Sequence, residues 1–315
     1  MPVQTEHRAD RAVRSPGLTV WDAIGNTPLL QFSRITAHLP EEVSLYAKAE
    51  WLNPGGSVKD RPARNIIRKA EQRGDLTPDR VLLDASSGNT AIAYAMLGAA
   101  RGYQVRLCLP ENADEFVVSK LRAYGADLVF TDASKGSDGA IVKARELKEK
   151  HPDHYFYADQ YNNPDNWRAH YQTTGNEIWR QTEGRVTHFV AGLGTSGTFT
   201  GTGRRLRAYH RDVKLVSVEP ALPLHGLEGL KHMKTAIVPG IYDRGLADVS
   251  LSVSTEDAQQ MVKRLFREEG FCTGLSSGAA VIASLDIAER LESGTVVTIL
   301  PDGGGRYLDQ SFWEE

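Results

Sequence analysis

The amino-acid sequence predicts an α/β fold built on mainly parallel sheets, arranged as one large domain or as two closely associated lobes. Short apolar runs alternate with amphipathic stretches along most of the chain, which is the pattern of successive βαβ units. The length of 315 residues suits a single large domain or two lobes. Hydrophobic residues make up 41% of the chain and charged residues 24%, the balance of a globular protein with a sizeable core.

Strands are predicted in the short apolar runs, and helices in the stretches where apolar residues recur every three or four positions. The predicted strands cover residues 44–50, 81–86, 104–110, 127–133, 187–192, 214–220 and 295–302. The predicted helices cover residues 61–74, 91–102, 119–125, 137–151, 167–182, 197–210, 255–270 and 277–292. The sequence shows no internal repeat, and boundaries between two lobes are expected near residues 45–50 and 155–160.

Charge and cysteine content exclude several classes of function. The net charge is −3 and the basic residues are scattered, so neither a nucleic acid nor a membrane surface is predicted as a partner. The two cysteines, Cys108 and Cys272, stand alone in apolar surroundings and predict neither a disulfide framework nor a metal site. Residues 1–17 lack the apolar segment of a signal peptide and are expected to form a disordered arm, which favours a cytoplasmic protein.

Four loops of small polar residues each join a strand to the start of a helix. Because ligands of parallel sheets gather at the carboxyl ends of the strands, such loops are candidates for a binding site. They cover residues 53–61, 86–90, 192–198 and 274–280. Together they predict one ligand site that is assembled from distant parts of the chain.

Lys59 follows a Gly-Gly-Ser turn at the start of a predicted helix. The helix dipole disfavours an ammonium there, and a lysine with a lowered pKa is a nucleophile towards an aldehyde. A single lysine is more often a solvated surface residue, so the interpretation depends on the neighbouring loops. In the second loop, Ser86, Ser87, Asn89 and Thr90 can cap a helix or donate hydrogen bonds to a carboxylate.

The third loop, residues 192–198, offers backbone amides at a helix start and predicts a phosphate site. Gly192, Gly194 and Gly197 also spell GxGxxG, and Glu219 ends the next strand, as in a dinucleotide-binding unit. However, this unit is not the first of the chain, and a dinucleotide leaves the loops of Lys59 and Asn89 unexplained. From these residues alone, both a pyridoxal phosphate (PLP) enzyme and a dinucleotide-binding oxidoreductase remain open.

Five ordered motifs resemble one enzyme family. GNTPL at 25–29, NPGGSVKDR, SSGNT, GLGTSGT and GLSSGAA are similar to motifs of the PLP-dependent cysteine synthase and cystathionine β-synthase family. The resemblance covers residues 18–309, and the segments HGLEGLKHMKTAIVPGIYD and TILPDGGGRYL favour its cysteine synthase B branch. It implies a two-lobed, doubly wound α/β fold of the tryptophan-synthase-β type, PLP fold type II. The small lobe is then expected at 49–158, the large lobe at 1–48 plus 159–315, and PLP in the cleft between them.

The resemblance also implies roles for individual residues. Lys59 matches the lysine that carries PLP as a Schiff base and moves the α-proton of the substrate. The other cofactor-binding positions are Asn89 for the 3′-oxygen, Gly194, Thr195, Ser196, Gly197 and Thr198 for the phosphate, and Ser276 for the pyridine nitrogen. Ser86, Ser87, Thr90 and Gln160 match residues that bind the substrate carboxylate. Lys231 aligns with an arginine that, in some members of the family, favours O-phosphoserine as substrate. No metal ligands are expected.

The implied reaction is replacement of the β-substituent of O-acetylserine or O-phosphoserine by a sulfur nucleophile, giving cysteine or a related β-substituted alanine. A cytoplasmic homodimer that acts on small molecules is expected. Two departures affect the substrate loop, where Ser86 stands for the usual threonine and Ala91 for the usual glycine. The segment 112–116 also lacks the usual Ser/Glu/Arg cluster, which leaves a closing lid there undecided. Diaminopropionate synthesis and serine or threonine dehydration are alternatives on the same scaffold.

Overall fold

The computed structural model describes residues 17–314, which form two sheets with helices packed against them. The predicted disordered arm therefore lies outside the described residues, apart from Gly17. Within residues 17–314, no helix is long and apolar enough to cross a membrane.

All seven strands predicted from the sequence are present, and three further strands join them. The ten strands of the described residues are β1 (Leu29–Gln31), β2 (Val43–Ala49), β3 (Val81–Ala85), β4 (Val105–Pro110), β5 (Asp127–Thr131), β6 (Tyr155–Tyr157), β7 (His188–Gly192), β8 (Lys214–Pro220), β9 (Val249–Val253) and β10 (Gly294–Leu300). Strands β1, β6 and β9 were not predicted. Two of them have only three residues, too few to show a period, and β9 (VSLSV) is a largely exposed strand at a sheet edge.

The larger sheet has six strands in the order β1-β2-β10-β7-β8-β9. All neighbouring strands in it are parallel except β1 and β2. Because β2, β10 and β7 are adjacent, the loops that follow them lie side by side at one edge of the sheet. Those loops contain Lys59, Asp302 and Thr195, respectively.

The smaller sheet has four parallel strands in the order β5-β4-β3-β6. Its central strand β3 is buried at every position, as expected for a parallel strand covered on both faces. The loop after β3 is the Ser86–Thr90 segment. This sheet spans residues 81–157 and so lies inside the predicted small lobe of residues 49–158, whose limits stay a prediction.

The helices pack on these sheets, and four of them begin at the four loops. They are α1 (Asp60–Arg73), α2 (Asn89–Arg101), α3 (Glu115–Ala123), α4 (Gly136–Lys150), α5 (Pro164–Gln172), α6 (Thr174–Gln181), α7 (Gly197–Tyr209), α8 (Thr255–Arg264) and α9 (Leu275–Ala288). The predicted helix 167–182 is divided into α5 and α6, because Thr173 leaves helical geometry with φ −123° and ψ −75°. Helix α3 begins earlier than predicted because Asp114 caps it, accepting hydrogen bonds from the amides of Phe116 and Val117.

Each sheet has its own apolar cores. The larger sheet is packed on one face against α8 and α9, with Val190, Val216 and Val296 in that core. Its other face contributes Phe189, Leu215 and Val297 to a second core shared with α7. The smaller sheet is covered by α2 on one side and α4 on the other. The rigid strands therefore fix the starting points of the loops that form the candidate site.

Candidate active site

Loops from both sheets line a single cleft. A cavity of about 340 Å³ is lined by Lys59, Ser86, Ser87, Asn89, Thr90, Gln160 and Lys231, among others. An adjoining cavity of about 40 Å³ is lined by residues that include Lys59, Asn89, Gly194, Thr195, Ser196, Gly197, Thr198 and Ser276. Lys59, Asn89 and Gly194 line both cavities. The structure thus brings together every site residue that the sequence predicted.

Lys59 is held at the N-terminus of α1 by contacts to the end of β10. The amide of Val58 donates to the carbonyl of Pro301 at 2.7 Å, and Ser57 forms an isolated bridge with Asp302. The Lys59 ammonium makes no hydrogen bond or ion pair within residues 17–314. Burial lowers the pKa of Lys59, an effect that the nearby Asp302 carboxylate partly opposes. This shift favours the uncharged, nucleophilic form of the amine.

The turn before Lys59 is fixed by the next residue, Asp60. Its Oδ2 accepts a 2.6 Å hydrogen bond from the amide of Gly55, and a Cβ on Gly55 would lie only 2.3 Å from its Oδ1. Burial raises the pKa of Asp60 to about 7. Glycine is required at position 55 because any side chain there would displace the carboxyl group that holds the turn.

The loop after β7 leaves backbone donors free at the start of α7. The amides of Thr195 and Ser196 donate to no other residue in the described range, and the buried Ser196 hydroxyl also has no partner there. Ser196 has φ +69°, a left-handed conformation in which glycine is favoured. Free amides at a helix N-terminus form a site suited to an anion such as phosphate.

A second layer of side chains fixes this loop from behind. Asn166 donates from Nδ2 to Thr195 Oγ1 at 3.2 Å and to the carbonyl of Gln160 at 2.7 Å. His170 Nε2 lies 3.3 Å from the hydroxyl of Thr198, and Nδ1 lies 2.9 Å from the hydroxyl of Thr174. Burial lowers the pKa of His170 to about 3, so the ring is neutral at neutral pH and orients Thr198 without adding charge.

Hydrogen bonds of its own side chains and of Gln160 fix the Ser86–Thr90 loop. The Ser86 hydroxyl accepts hydrogen bonds from the amides of Gly88 and Ala91, both at 3.3 Å. Thr90 donates to Gln160 Oε1 at 2.8 Å, and Gln160 Nε2 donates to the carbonyl of Ala85 at 3.0 Å. The amides of Asn89 and Thr90 have no partner within residues 17–314. They face the cleft at the N-terminus of α2, where an anion is stabilised.

Asn89 and Ser276 both line the smaller cavity. Asn89 Nδ2 donates to Asp302 Oδ2 at 2.8 Å, and Tyr307 donates to the same oxygen at 2.9 Å. Ser276 is buried in the first turn of α9, and its hydroxyl bonds to no other described residue. Both positions leave polar groups available to a cofactor, and their individual roles remain predictions.

Lys231 is not a solvated surface lysine. Its side chain is 11% exposed, its ammonium lies 3.5 Å from Asp138 Oδ1, and it stands 4.9 Å from the ring centre of Tyr161. The amide of Lys231 also donates to the carbonyl of Leu193, next to the phosphate loop. By contrast, Lys234 is exposed and does not line the cleft. Lys231 therefore places a positive charge in the larger cavity.

These features define a class of enzyme. A family model of pyridoxal-phosphate dependent enzymes matches residues 20–302, and the chain belongs to this family. A cysteine synthase of Aquifex aeolicus is 46% identical over 320 aligned residues, covering 100% of this chain and 97% of the relative. Cysteine synthase B of Escherichia coli is 41% identical, covering 94% of this chain and 96% of the relative. A crystal structure of a cysteine synthase from Entamoeba histolytica superposes with a TM-score of 0.90 at 32% identity, covering 100% of this chain and 94% of that one.

The comparisons confirm the predicted family, the PLP cofactor and the α/β fold type II. They also decide between a PLP enzyme and a dinucleotide-binding oxidoreductase in favour of the PLP enzyme. Glu219, which a dinucleotide site would use, instead accepts a 3.0 Å hydrogen bond from the amide of Met233. The residues of the smaller cavity fit PLP. Lys59 supplies an amine with a lowered pKa, and the free amides of Thr195 and Ser196 at the start of α7 can donate hydrogen bonds to the phosphate.

Sequence reasoning missed several residues that shape the cleft. Asp302 and Arg306 follow β10, and Glu228 lies in the loop before Lys231. Arg306 and Glu228 line the larger cavity, whereas Asp302 holds Asn89 by a hydrogen bond. The signal for the first two was available, because charged residues directly after a parallel strand lie at the ligand-binding edge of a sheet. Asn166 and His170 lie on α5, and no local motif reveals that they support the phosphate loop.

Replacing Gly197 tests the phosphate site. A Cβ at this position would lie 1.9 Å from Asn166 Oδ1, and an aspartate would add negative charge where phosphate is expected to bind. We expect Gly197→Asp to weaken PLP binding at least about a hundredfold, because charge-assisted hydrogen bonds contribute about 1.5–3 kcal/mol each. The measurement is titration of the PLP-free protein with PLP, followed by visible absorbance.

The control for Gly197→Asp is Ser196→Gly in the same loop. Glycine adopts the left-handed conformation of residue 196 without strain, so this variant should keep its PLP content and melting temperature. Full PLP occupancy in purified Gly197→Asp would show that the phosphate does not bind here.

Proposed function

We propose that this enzyme replaces the β-substituent of an O-activated L-serine with a sulfur nucleophile, forming L-cysteine or a closely related amino acid. One observation carries the proposal. Lys59, the free donors for a phosphate and the free donors for a carboxylate all line one continuous cleft. The family relationship and the cysteine synthases among its relatives support the same reaction.

The chain supplies binding and proton transfer to this reaction. When bound, PLP supplies an electron sink for the charge that develops at the substrate α-carbon. The amides of Asn89 and Thr90 hold the substrate carboxylate, with the Ser86, Ser87 and Gln160 side chains around it. The Lys59 amine removes the α-proton and later returns it, which its lowered pKa permits. Ser276, a neutral hydroxyl, would hold the pyridine nitrogen of PLP, and Asn89 would hold its 3′-oxygen, as the family resemblance implies.

Product analysis tests the proposed reaction. The PLP-loaded protein is incubated with O-acetyl-L-serine or O-phospho-L-serine and with sulfide, thiosulfate or homocysteine, and the products are identified by mass spectrometry. We expect a β-substituted alanine from at least one pair. Formation of pyruvate alone would indicate β-elimination without replacement, pyruvate formed from L-serine itself would indicate dehydration, and diaminopropionate formed when ammonia is added would indicate diaminopropionate synthesis.

Lys231 is proposed to select the leaving group. Its ammonium lies in the larger cavity, and a lysine holds phosphate as a point charge without the two-pronged geometry of arginine. We expect Lys231→Ala to lower kcat/KM for O-phosphoserine about ten- to a hundredfold, the effect of losing one charge-assisted contact of about 1.5–3 kcal/mol. The value for O-acetylserine should change much less.

The matched control is Lys234→Ala, three residues along the same loop, where the lysine is exposed. This variant should retain wild-type rates on both donors. Lys231→Arg should keep or increase the use of O-phosphoserine. Equal losses on both donors in Lys231→Ala, or a wild-type enzyme indifferent to O-phosphoserine, would exclude the assignment.

The assembly and location of the enzyme are also proposals. We propose a cytoplasmic homodimer with a small lobe at 49–158 and a large lobe at 1–48 plus 159–315. Family resemblance supports the dimer, and the limits of the four-stranded sheet support the lobes. Light scattering after size-exclusion chromatography measures the mass, which should be twice the 34.7 kDa of one chain.

A further inference from the structure

Arg306 places a second buried cation at the wall of the cleft. It lies in a short helical turn, Gly304–Tyr307, that follows β10, and it lines the same cavity as Lys59. Its side chain is only 6% exposed. Arginine is rarely buried unless its donors are paired, so the partners of each nitrogen are informative.

The guanidinium is only partly paired. Nη2 donates to Glu228 Oε2, and the group stands 4.6 Å from the ring centre of Tyr307. Nε lies 3.9 Å from Asp302 Oδ2, beyond hydrogen-bonding distance, and that oxygen already accepts from Asn89 and Tyr307. Within residues 17–314, Nε and Nη1 have no hydrogen-bond partner although both are buried. Leaving such donors unpaired is costly, which indicates a site for an acceptor.

The free Nη1 points towards the Ser86–Thr90 loop. It is the atom nearest to the position that a Cβ on Gly88 would occupy, at 3.9 Å. The amides of Asn89 and Thr90, two further free donors, follow directly in the chain. Backbone donors at the start of α2 and the arginine therefore border the same part of the cavity.

We propose that Arg306 binds the α-carboxylate of the substrate together with the Ser86–Thr90 loop. The inference rests on the proposed function, which supplies an amino acid as substrate. Glu228 acts as a temporary counterion. Its side chain is 44% exposed, so it can turn into solvent and relieve its repulsion of an incoming carboxylate, whereas Asp302 stays fixed by Asn89 and Tyr307.

The test compares two ligands that differ only in the carboxylate. The dissociation constants of L-serine and L-serinamide are measured from the change in visible absorbance of the PLP-loaded enzyme. We expect Arg306→Gln to raise the dissociation constant of L-serine about ten- to a hundredfold, because one hydrogen bond between charged groups is lost. The dissociation constant of L-serinamide should change by no more than about twofold. Arg306→Lys should restore part of the preference for L-serine.

Glu228→Gln is expected to change the affinity for L-serine in the opposite direction. Removal of the competing carboxylate should tighten L-serine binding and leave L-serinamide unaffected, an effect that a merely structural role of Arg306 would not produce. If Arg306→Gln does not fold, an unchanged affinity of Glu228→Gln for L-serine overturns the proposal.

The outcomes also separate this inference from the proposed function. If the wild-type enzyme shows no spectral response either to L-serine or to O-acetyl-L-serine and O-phospho-L-serine, the proposed function fails, and the Arg306 assignment fails with it. If the wild-type enzyme responds but Arg306→Gln keeps the full preference for L-serine over L-serinamide, only the Arg306 assignment is wrong. Equal weakening of both ligands in the Gln and Lys variants would likewise overturn it.

Discussion

Replacement of Lys59 by alanine is expected to abolish turnover while the fold is retained. The variant loses both the covalent attachment of PLP and the amine that moves the α-proton. Removing one member of such a catalytic unit can cost roughly four to six orders of magnitude in rate. Because the Lys59 ammonium has no ion pair or hydrogen bond within residues 17–314, its removal breaks no polar contact and relieves the burial of a charge. The melting temperature of the PLP-free protein should therefore stay near that of the wild type.

Two measurements check this result. Activity is assayed with the donor and nucleophile pair that the wild type uses, and visible absorbance reports how PLP is attached. Lys69→Ala is a matched control, since Lys69 lies on the same helix and bonds to Gln72 at the surface. It should keep both activity and absorbance. A Lys59→Ala protein with the wild-type spectrum and rate would show that another residue anchors the cofactor.

The strands, loops and site positions were largely predictable because their signals are local. An apolar run of five to seven residues followed by small polar residues marks both a buried parallel strand and its ligand-binding loop. Gly192–Thr198 and Ser86–Thr90 are examples, and the structure places both at the cleft. The short strands β1 and β6 escaped prediction because three residues carry no period.

Contacts between distant segments could not be predicted in this way. Asn166 reaches the phosphate loop from α5, and Arg306 approaches Gly88 across more than 200 positions of the chain. Nothing in either local sequence specifies these partners. The break at Thr173 is a similar case, since the apolar period continues across it and only the packing of α5 and α6 shows two helices.

A buried charge cluster behind Lys59 is the clearest example of such long-range contacts. Arg61, two residues after Lys59, is buried and makes paired hydrogen bonds to Glu50 at 2.7 and 2.8 Å and to Glu177 at 2.6 and 2.8 Å. Lys48 also pairs with Glu177 at 2.6 Å, and Thr27 donates to Glu50 at 2.7 Å. The two positive charges of Lys48 and Arg61 therefore neutralise the two carboxylates. The cluster connects β2, α1, α6 and the GNTPL segment.

Replacing Arg61 by methionine is expected to reduce the free energy of unfolding by about 3–5 kcal/mol. The change removes one partner of a buried network and leaves Glu50 and Glu177 near each other with only Lys48 as a counterion. Chemical denaturation of the PLP-free protein measures the loss. Arg73→Met is the matched control on the same helix, where the arginine is 45% exposed and pairs with Asp75 and Asp165. Asp165 is buried but keeps Arg168 as a second partner at 3.3 Å, and a pair with a half-exposed arginine contributes about 1 kcal/mol or less, so that variant should lose much less stability than Arg61→Met.

The pH dependence gives this prediction a second, independent readout. Burial alone would raise the pKa of Glu177, but the hydrogen bonds and charge of Arg61, aided by Lys48, lower it to about 2. A carboxyl group with a lowered pKa in the folded state stabilises the protein above its unfolded value, near 4.5, and this stabilisation is lost as the pH falls towards 2. In Arg61→Met the pKa of Glu177 should rise, so the stability difference between wild type and variant should shrink as the pH is lowered from about 5 to about 3. A difference that stays constant over this range, or a loss no larger than that of Arg73→Met, would show that the cluster does not stabilise the N-terminus of α1.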